Sequence, residues 1–256
     1  MIDREKALKT FNTYVSKYNP EDEKIKLKIE HIQRVAKNAN DIAENLKLSK
    51  EDIDLAWLIG LLHDIGRFEQ VRLYHTFNDG KSVNHAEIGV KILFEDGLIR
   101  EFIEDKQYYE IIKIAILNHN RPAIETGLTE RQLLHSKIIR DADKIDNFRV
   151  KQDDKFEDMF PKIYNKETIN YEVVSQKVYE EFMKHKCIKL EDRKTIIDYW
   201  VCVIAFIFDL NFDISLKYVQ ENNYIDILVD RIEYKNDDTK QKMEDIRKCA
   251  KEYIKK

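Results

Sequence analysis

The chain is short of the residues that break helices. Its 256 residues include only 6 glycines and 3 prolines. A sheet protein of this length needs many more turns, so the scarcity excludes a large β architecture and predicts an all-α fold. Cysteine is also scarce. The 3 residues, Cys187, Cys202 and Cys249, are odd in number and form no CxxC pair, so a disulfide framework is excluded and a reduced, cytoplasmic setting is expected. No long hydrophobic run is present: the most apolar window, residues 199–210, is too short to span a bilayer. The first six residues carry no signal-peptide pattern, and no membrane association is expected. Positive charge is not in excess either. Lys and Arg total 44 against 48 Asp and Glu, a net charge of −4, so no general basic field exists to attract nucleic acid. The 13 Tyr and 12 Phe form no clustered aromatic–basic pattern for stacking single strands.

What is abundant is helix-forming, ionic sequence. Hydrophobic residues make up 43% and charged residues 36%, enough for a real core under a densely charged surface. An N-terminal helix is expected over residues 3–18. A second is expected over 23–46, where Ile25, Ile29, Ile32, Val35, Ala36, Ala39, Ile42, Ala43 and Leu46 follow one helical face. Ser49 is a fitting N-cap for a third helix carrying Ile53, Ala56, Trp57 and Leu61. Gly66 fits a C-terminal stop for it. Residues 67–83 read as a polar, lid-like loop with the turn signal Asn78-Asp79-Gly80. Asn84 can cap a helix that stops near Gly97. Longer helices are expected over 99–118 and 130–150, and three or four more after them. Among these, 199–210 is expected to be the most buried, and the last twenty residues to form an exposed helix. The charged segment 151–155 is the best boundary between a core of residues 1–150 and a C-terminal helical part, 151–256, either separate or packed into the same domain.

His63-Asp64 stands out. The pair directly follows the apolar stretch 56–62, and an imidazole and a carboxylate at the end of a buried helix are costly unless compensated. A divalent cation would compensate both. His31, His85, His119 and Asp143 could converge on it. His119 lies one turn beyond Ala115 and Ile116, so helical spacing points it inward. On the helix 130–150 the face of Leu134, Ile138, Ile145 and Phe148 favours Asp141 over Asp143, and periodicity leaves both open. Mixed imidazole–carboxylate donors suit Mn, Fe, Zn, Ni or Co better than calcium.

The order His31, His63-Asp64, Asp143 resembles the HD-domain superfamily of metal-dependent phosphohydrolases. His63-Asp64-Ile65-Gly66-Arg67 is similar to the family's HD-I-G-[KR] core, and Asp141-Ala142-Asp143-Lys144-Ile145-Asp146 to its closing D-x-D-[KR]-x-D segment. In that segment the family's ligand is the second Asp, so the resemblance implies Asp143. The likeness covers roughly residues 25–150 and implies an HD-type helical bundle. The stretch His85 to Leu93 resembles the H-x-E-I-G-x-x-I-L helix of the superfamily's binuclear branch, which includes HD-GYP phosphodiesterases. The GYP signature is absent, and a single histidine, His119, stands where that branch has a pair. This departure argues against cyclic-di-GMP hydrolysis. One metal would take His31, His63, Asp64 and Asp143; a second would take His85 and His119 with Asp64 bridging. Mn, Fe, Ni, Co, Zn and Mg are not distinguished.

The resemblance implies metal-assisted hydrolysis of a phosphate ester or anhydride of a small molecule, with a nucleotide favoured. Asp64, Arg67 and Lys144 are then the catalytic candidates, and Arg67 and Lys144 the phosphate contacts. Glu87 and His119 are candidate proton donors, and Arg72, Tyr74 and His75 candidates for base or sugar contact. Two other readings stand beside this one: a di-iron oxygenase of the HD type, and a non-catalytic helical module. The C-terminal helices offer surfaces for self-association.

Overall fold

The computed structural model describes residues 2–159 and 164–255. Among them there is no strand, and the fold is all-α as expected. No described helix is long and apolar enough to cross a membrane. The chain divides into two compact units, Met1–Asp146 and Asn147–Lys256.

The first unit opens with α1 (Arg4–Val15), capped by Asp3. Helix α2 (Glu23–Asn45) is capped by Asp22 and buries Ile25, His31, Ile32, Val35, Ala36, Ala39, Ile42 and Ala43 on one face. Helix α3 (Lys50–Leu62) starts at Ser49, whose side chain accepts from the amide of Asp52. Helices α2 and α3 touch closely because Gly60 faces the backbone of Ala36: a Cβ at Gly60 would stand 2.6 Å from the Ala36 Cα.

Gly66 does not stop α3. It begins α4 (Gly66–Tyr74), so the first half of the expected lid is helical. Its lack of a side chain serves a close approach instead. A Cβ there would lie 2.2 Å from the carbonyl oxygen of His85 and 2.6 Å from the amide nitrogen of Gly89, so α4 meets α5 (His85–Val90) backbone to backbone. Asn84 caps α5 as expected, and a π-turn, Lys91–Glu95, follows before Gly97. The expected helix over 99–118 is broken. Helix α6 (Ile99–Phe102) ends where Ile103 turns extended, Asp105 caps a short 3-10 turn, and α7 (Tyr109–His119) follows. Helix α8 (Glu130–Asp153) runs into the charged segment that reads as a boundary, and the division between units falls within the helix, after Asp146.

The second unit holds the end of α8, then α9 (Phe156–Met159), α10 (Gln176–Met183), α11 (Ile196–Ile204), α12 (Asp213–Glu221), α13 (Tyr224–Asp230) and α14 (Asp237–Tyr253). Helix α11 is held by a capping box between Thr195 and Asp198, and its Trp200 is fully buried and donates Nε1–H to the Leu228 carbonyl at 2.7 Å. The apolar window 199–210 is α11 followed by a 3-10 turn, Ala205–Asp209, and is largely buried. Helix α14 is exposed on one side only: Met243, Ile246, Cys249 and Ala250 join the core of this unit.

Candidate metal centre

Four helix ends or faces of the first unit present imidazoles to one place. His31 comes from the inner face of α2, His63 caps the C-terminus of α3, His85 opens α5 and His119 closes α7. All four are buried, and so is Asp64. Asp64 Oδ2 is 3.6 Å from His31 Nε2 and 3.5 Å from His63 Nε2. Asp64 Oδ1 is 3.1 Å from His85 Nε2 and 3.7 Å from His119 Nε2. Asp143 reaches in from α8, its Oδ1 3.1 Å from His31 Nε2 and 3.9 Å from His63 Nε2. Every residue expected as a ligand is therefore at the cluster. Two groups, His31–His63–Asp64 and Asp64–His85–His119, have donor atoms all within 4.8 Å of one another.

The far side of each ring explains which nitrogen faces inward. His31 Nδ1 meets Asp146 Oδ2 at 2.7 Å, His63 Nδ1 the Gly60 carbonyl at 2.8 Å, His85 Nδ1 Asp79 Oδ2 at 2.6 Å, and His119 Nδ1 the Ile116 carbonyl at 2.6 Å. A carbonyl or ionised carboxylate only accepts, so each Nδ1 carries a proton; a ring in its neutral form turns an Nε2 lone pair to the centre, whereas a protonated His31 donates its Nε2–H to Asp143. The consequences are costly without a cation. Nε2 of His63 and Oδ1 of Asp64 are buried with no hydrogen-bond partner. Nε2 of His85 and of His119 stand 2.9 Å apart, an approach of two ring nitrogens that a proton or a shared metal ion would relieve. The donor set fits a divalent ion, or two sharing Asp64.

Electrostatics agree. Burial would raise the pKa of Asp64, but Lys28, His63, His85 and Arg67 hold it well below the usual carboxylate range. Asp143 is likewise depressed against its burial, through His31 and His63. Burial lowers His119 to about 4, so its ring is neutral at pH 7 and able to serve as a metal donor. His31 is raised despite burial and the nearby Lys28, because Asp143 and Asp146 accept from it.

Arg67 lies beside the cluster. Its Nε is 3.4 Å from Asp64 Oδ1, and its Nη1 donates to Gln70 Oε1, the Phe77 carbonyl and Asp79 Oδ1 at 2.8, 2.6 and 2.8 Å. Lys144 is buried on α8 next to Asp143. Asp141 is fully buried, and Asp143 is the carboxylate that approaches His31 and His63. Glu87 is on the exposed side of α5, near Asn84, and is not among the centre's side chains. Arg72, Tyr74 and His75 are exposed at the end of α4, with Arg72 paired to Glu69.

Three contributors were not singled out by sequence. Lys28 Nζ is 2.7 Å from Asp64 Oδ2, and its position one turn before His31 puts it on the same face of α2. Asp146, one turn after Asp143, braces His31 and is held in turn by Arg34 at 2.7 Å. Asp79 sits in a stretch that reads as an ordinary turn.

Residues 29–147 match the HD domain family. That span is similar to an HD domain. HD domains are generally metal-dependent phosphohydrolases, and this span has histidine and aspartate groups able to hold a metal. Searches of curated proteins and of solved structures find no match to the chain. The matched span contains all six residues of the cluster, and the HD pair is His63-Asp64 at the end of α3.

Proposed function

We propose that the protein hydrolyses a phosphate ester or anhydride of a small molecule, with a nucleotide as the favoured substrate class. The observation that carries this reading is the inward set of four Nε2 atoms around Asp64, each ring braced at Nδ1. His31, His63, Asp64 and Asp143 would hold one divalent ion, and Asp64, His85 and His119 a second, with Asp64 bridging. Mn, Fe, Ni, Co, Zn and Mg all remain candidates for that set. Such an ion, when bound, lowers the pKa of a water and offsets charge developing on phosphoryl oxygens.

The chain's own side chains do the positioning. Lys28 and Arg67 flank Asp64 and keep it ionised, and with Lys144 they supply positive charge for a phosphoryl group. Phe77 supports a substrate with both a ring and a phosphate. Lys28 Nζ lies 5.3 Å from the centre of its ring and the Arg67 guanidinium 5.8 Å, so an aromatic face adjoins both cations. We assign catalysis to the first unit and read residues 151–256 as a helical extension.

The test is elemental analysis of purified protein joined to a phosphate-release screen over nucleotides with added Mn, Mg, Co or Ni. The expected result is bound divalent metal and metal-stimulated phosphate release, both abolished in Asp64→Ala. Retention of metal by Asp64→Ala would overturn the assignment. The histidine pair His85–His119 that adds a second group also favours a di-iron oxygenase as the alternative. Tightly held iron with no phosphate release on any nucleotide would select it.

A further inference from the structure

His85 differs from His63 and His119 in where its Nδ1–H goes. His63 and His119 stand at the C-terminal ends of α3 and α7, and each donates to a carbonyl three residues earlier in its own helix. Carbonyls of a last turn lack intrahelical partners, so the helix itself supplies the brace. His85 is the first residue of α5 and has no preceding turn to draw on. Its partner is a side chain, Asp79 Oδ2, at 2.6 Å. The same oxygen receives Asn120 Nδ2 at 3.3 Å. The other oxygen of Asp79 accepts from Arg67 Nη1 and Gln70 Nε2, both at 2.8 Å. One carboxylate thus ties α4, the start of α5 and the residue after α7.

We propose that Asp79 is the positioning residue that makes His85 a ligand, and so assembles the group Asp64–His85–His119 without serving the group of His31 and His63. This rests on the reading of the cluster as a metal centre. The carboxylate compels the proton onto Nδ1 of His85 and leaves Nε2 as a lone pair beside Asp64. An asparagine cannot replace it. If its oxygen faced His85, its NH2 would meet the donors of Arg67 and Gln70. If its NH2 faced His85, it would require Nδ1 to be bare and put the proton on Nε2, which then cannot ligate. The imidazoles of the other group keep their braces in either case, since these are Asp146 and the Gly60 carbonyl.

The experiment measures manganese uptake by the full chain, using equilibrium dialysis with elemental analysis and circular dichroism as a check of helicity. Wild type, Asp79→Asn, His85→Ala, the double variant and Gln70→Ala are compared. Wild type is expected to hold two ions per chain. Asp79→Asn is expected to keep one and to bind the second roughly 10–100-fold more weakly. The double variant should match His85→Ala, because Asp79 acts through that ring, and Gln70→Ala should keep both ions. Two ions at wild-type affinity in Asp79→Asn overturn the proposal. So does loss of both ions or of helicity in that variant, a further loss in the double variant, or a wild type whose single ion Asp79→Asn leaves unchanged. A wild type that takes up no manganese overturns the metal-centre reading itself, and this proposal with it.

Discussion

Asp64 stays ionised in the protein interior because positive charge surrounds it: Lys28 at 2.7 Å, Arg67 at 3.4 Å and the imidazoles on either side. His119 has the opposite problem, since burial disfavours its charged form and lowers it to about 4. An unfolded imidazole takes its proton near 6.5, so between about pH 6.5 and 4 the unfolded chain binds a proton at this position that the folded one refuses. The stability of the metal-free protein should therefore fall as pH drops through that window, by about 1–3 kcal/mol from this group. His31 works the other way. Its raised pKa contributes stability that is present below 6.5 and lost as pH rises through the raised value. Urea midpoints at pH 7 and pH 5 for wild type and His119→Gln separate the two, and the acid sensitivity should shrink in the variant. An unchanged pH dependence would contradict the burial argument. The same scale explains why Lys28, Asp79 and Asp146 are hard to read in the sequence. Each is an ordinary charged residue whose role is defined by a partner 36, 6 or 115 positions away.

Among the elements, glycine sets the distances that the centre requires. At Gly60 the crossing of α2 and α3 leaves 2.6 Å between a would-be Cβ and the Ala36 Cα, and this crossing places His63 opposite His31. Gly60→Ala should force the helices apart, costing about 1–3 kcal/mol in denaturant titrations. It should also weaken metal uptake, since a ligand on each helix moves. A variant with wild-type stability and metal content would show that the crossing relaxes freely. Helix ends matter in the same way: α3 and α7 each terminate on a histidine whose ring the last turn braces. The caps Ser49 and Asn84 were legible because a side-chain acceptor before an apolar run is a local signal. The break at Ile103 and the start of α4 at Gly66 were not. Gly66 reads as a stop only while the approaching backbone of His85 is unseen.

For the molecule as a whole, the side chains of the candidate centre lie within Met1–Asp146, and among the described residues none lies in Asn147–Lys256. The second unit has its own core around Trp200, Leu228, Met243 and Ile246. Truncating Trp200 to Ala should cost about 3–5 kcal/mol of stability, because a large buried ring and its bond to Leu228 are lost together. Metal uptake by the folded variant should be unchanged, as read by elemental analysis below its unfolding temperature. A loss of metal would show that the centre draws support from residues after 146.

The sequence by itself determined the helical class and most helix starts, and it named the histidines and Asp64 that meet at the candidate centre, because caps, breakers and the HD text are local or family-wide signals. Periodicity could not choose between Asp141 and Asp143: the apolar face of α8 favours Asp141, the family resemblance implies Asp143, and it is Asp143 that meets the centre, its Oδ1 3.1 Å from His31 Nε2. Only the tertiary structure decided which nitrogen of each histidine faces inward and which residue holds it there. That choice depends on an acceptor a few ångströms away in space, and neither the spacing of histidines nor their neighbours in the chain encodes it.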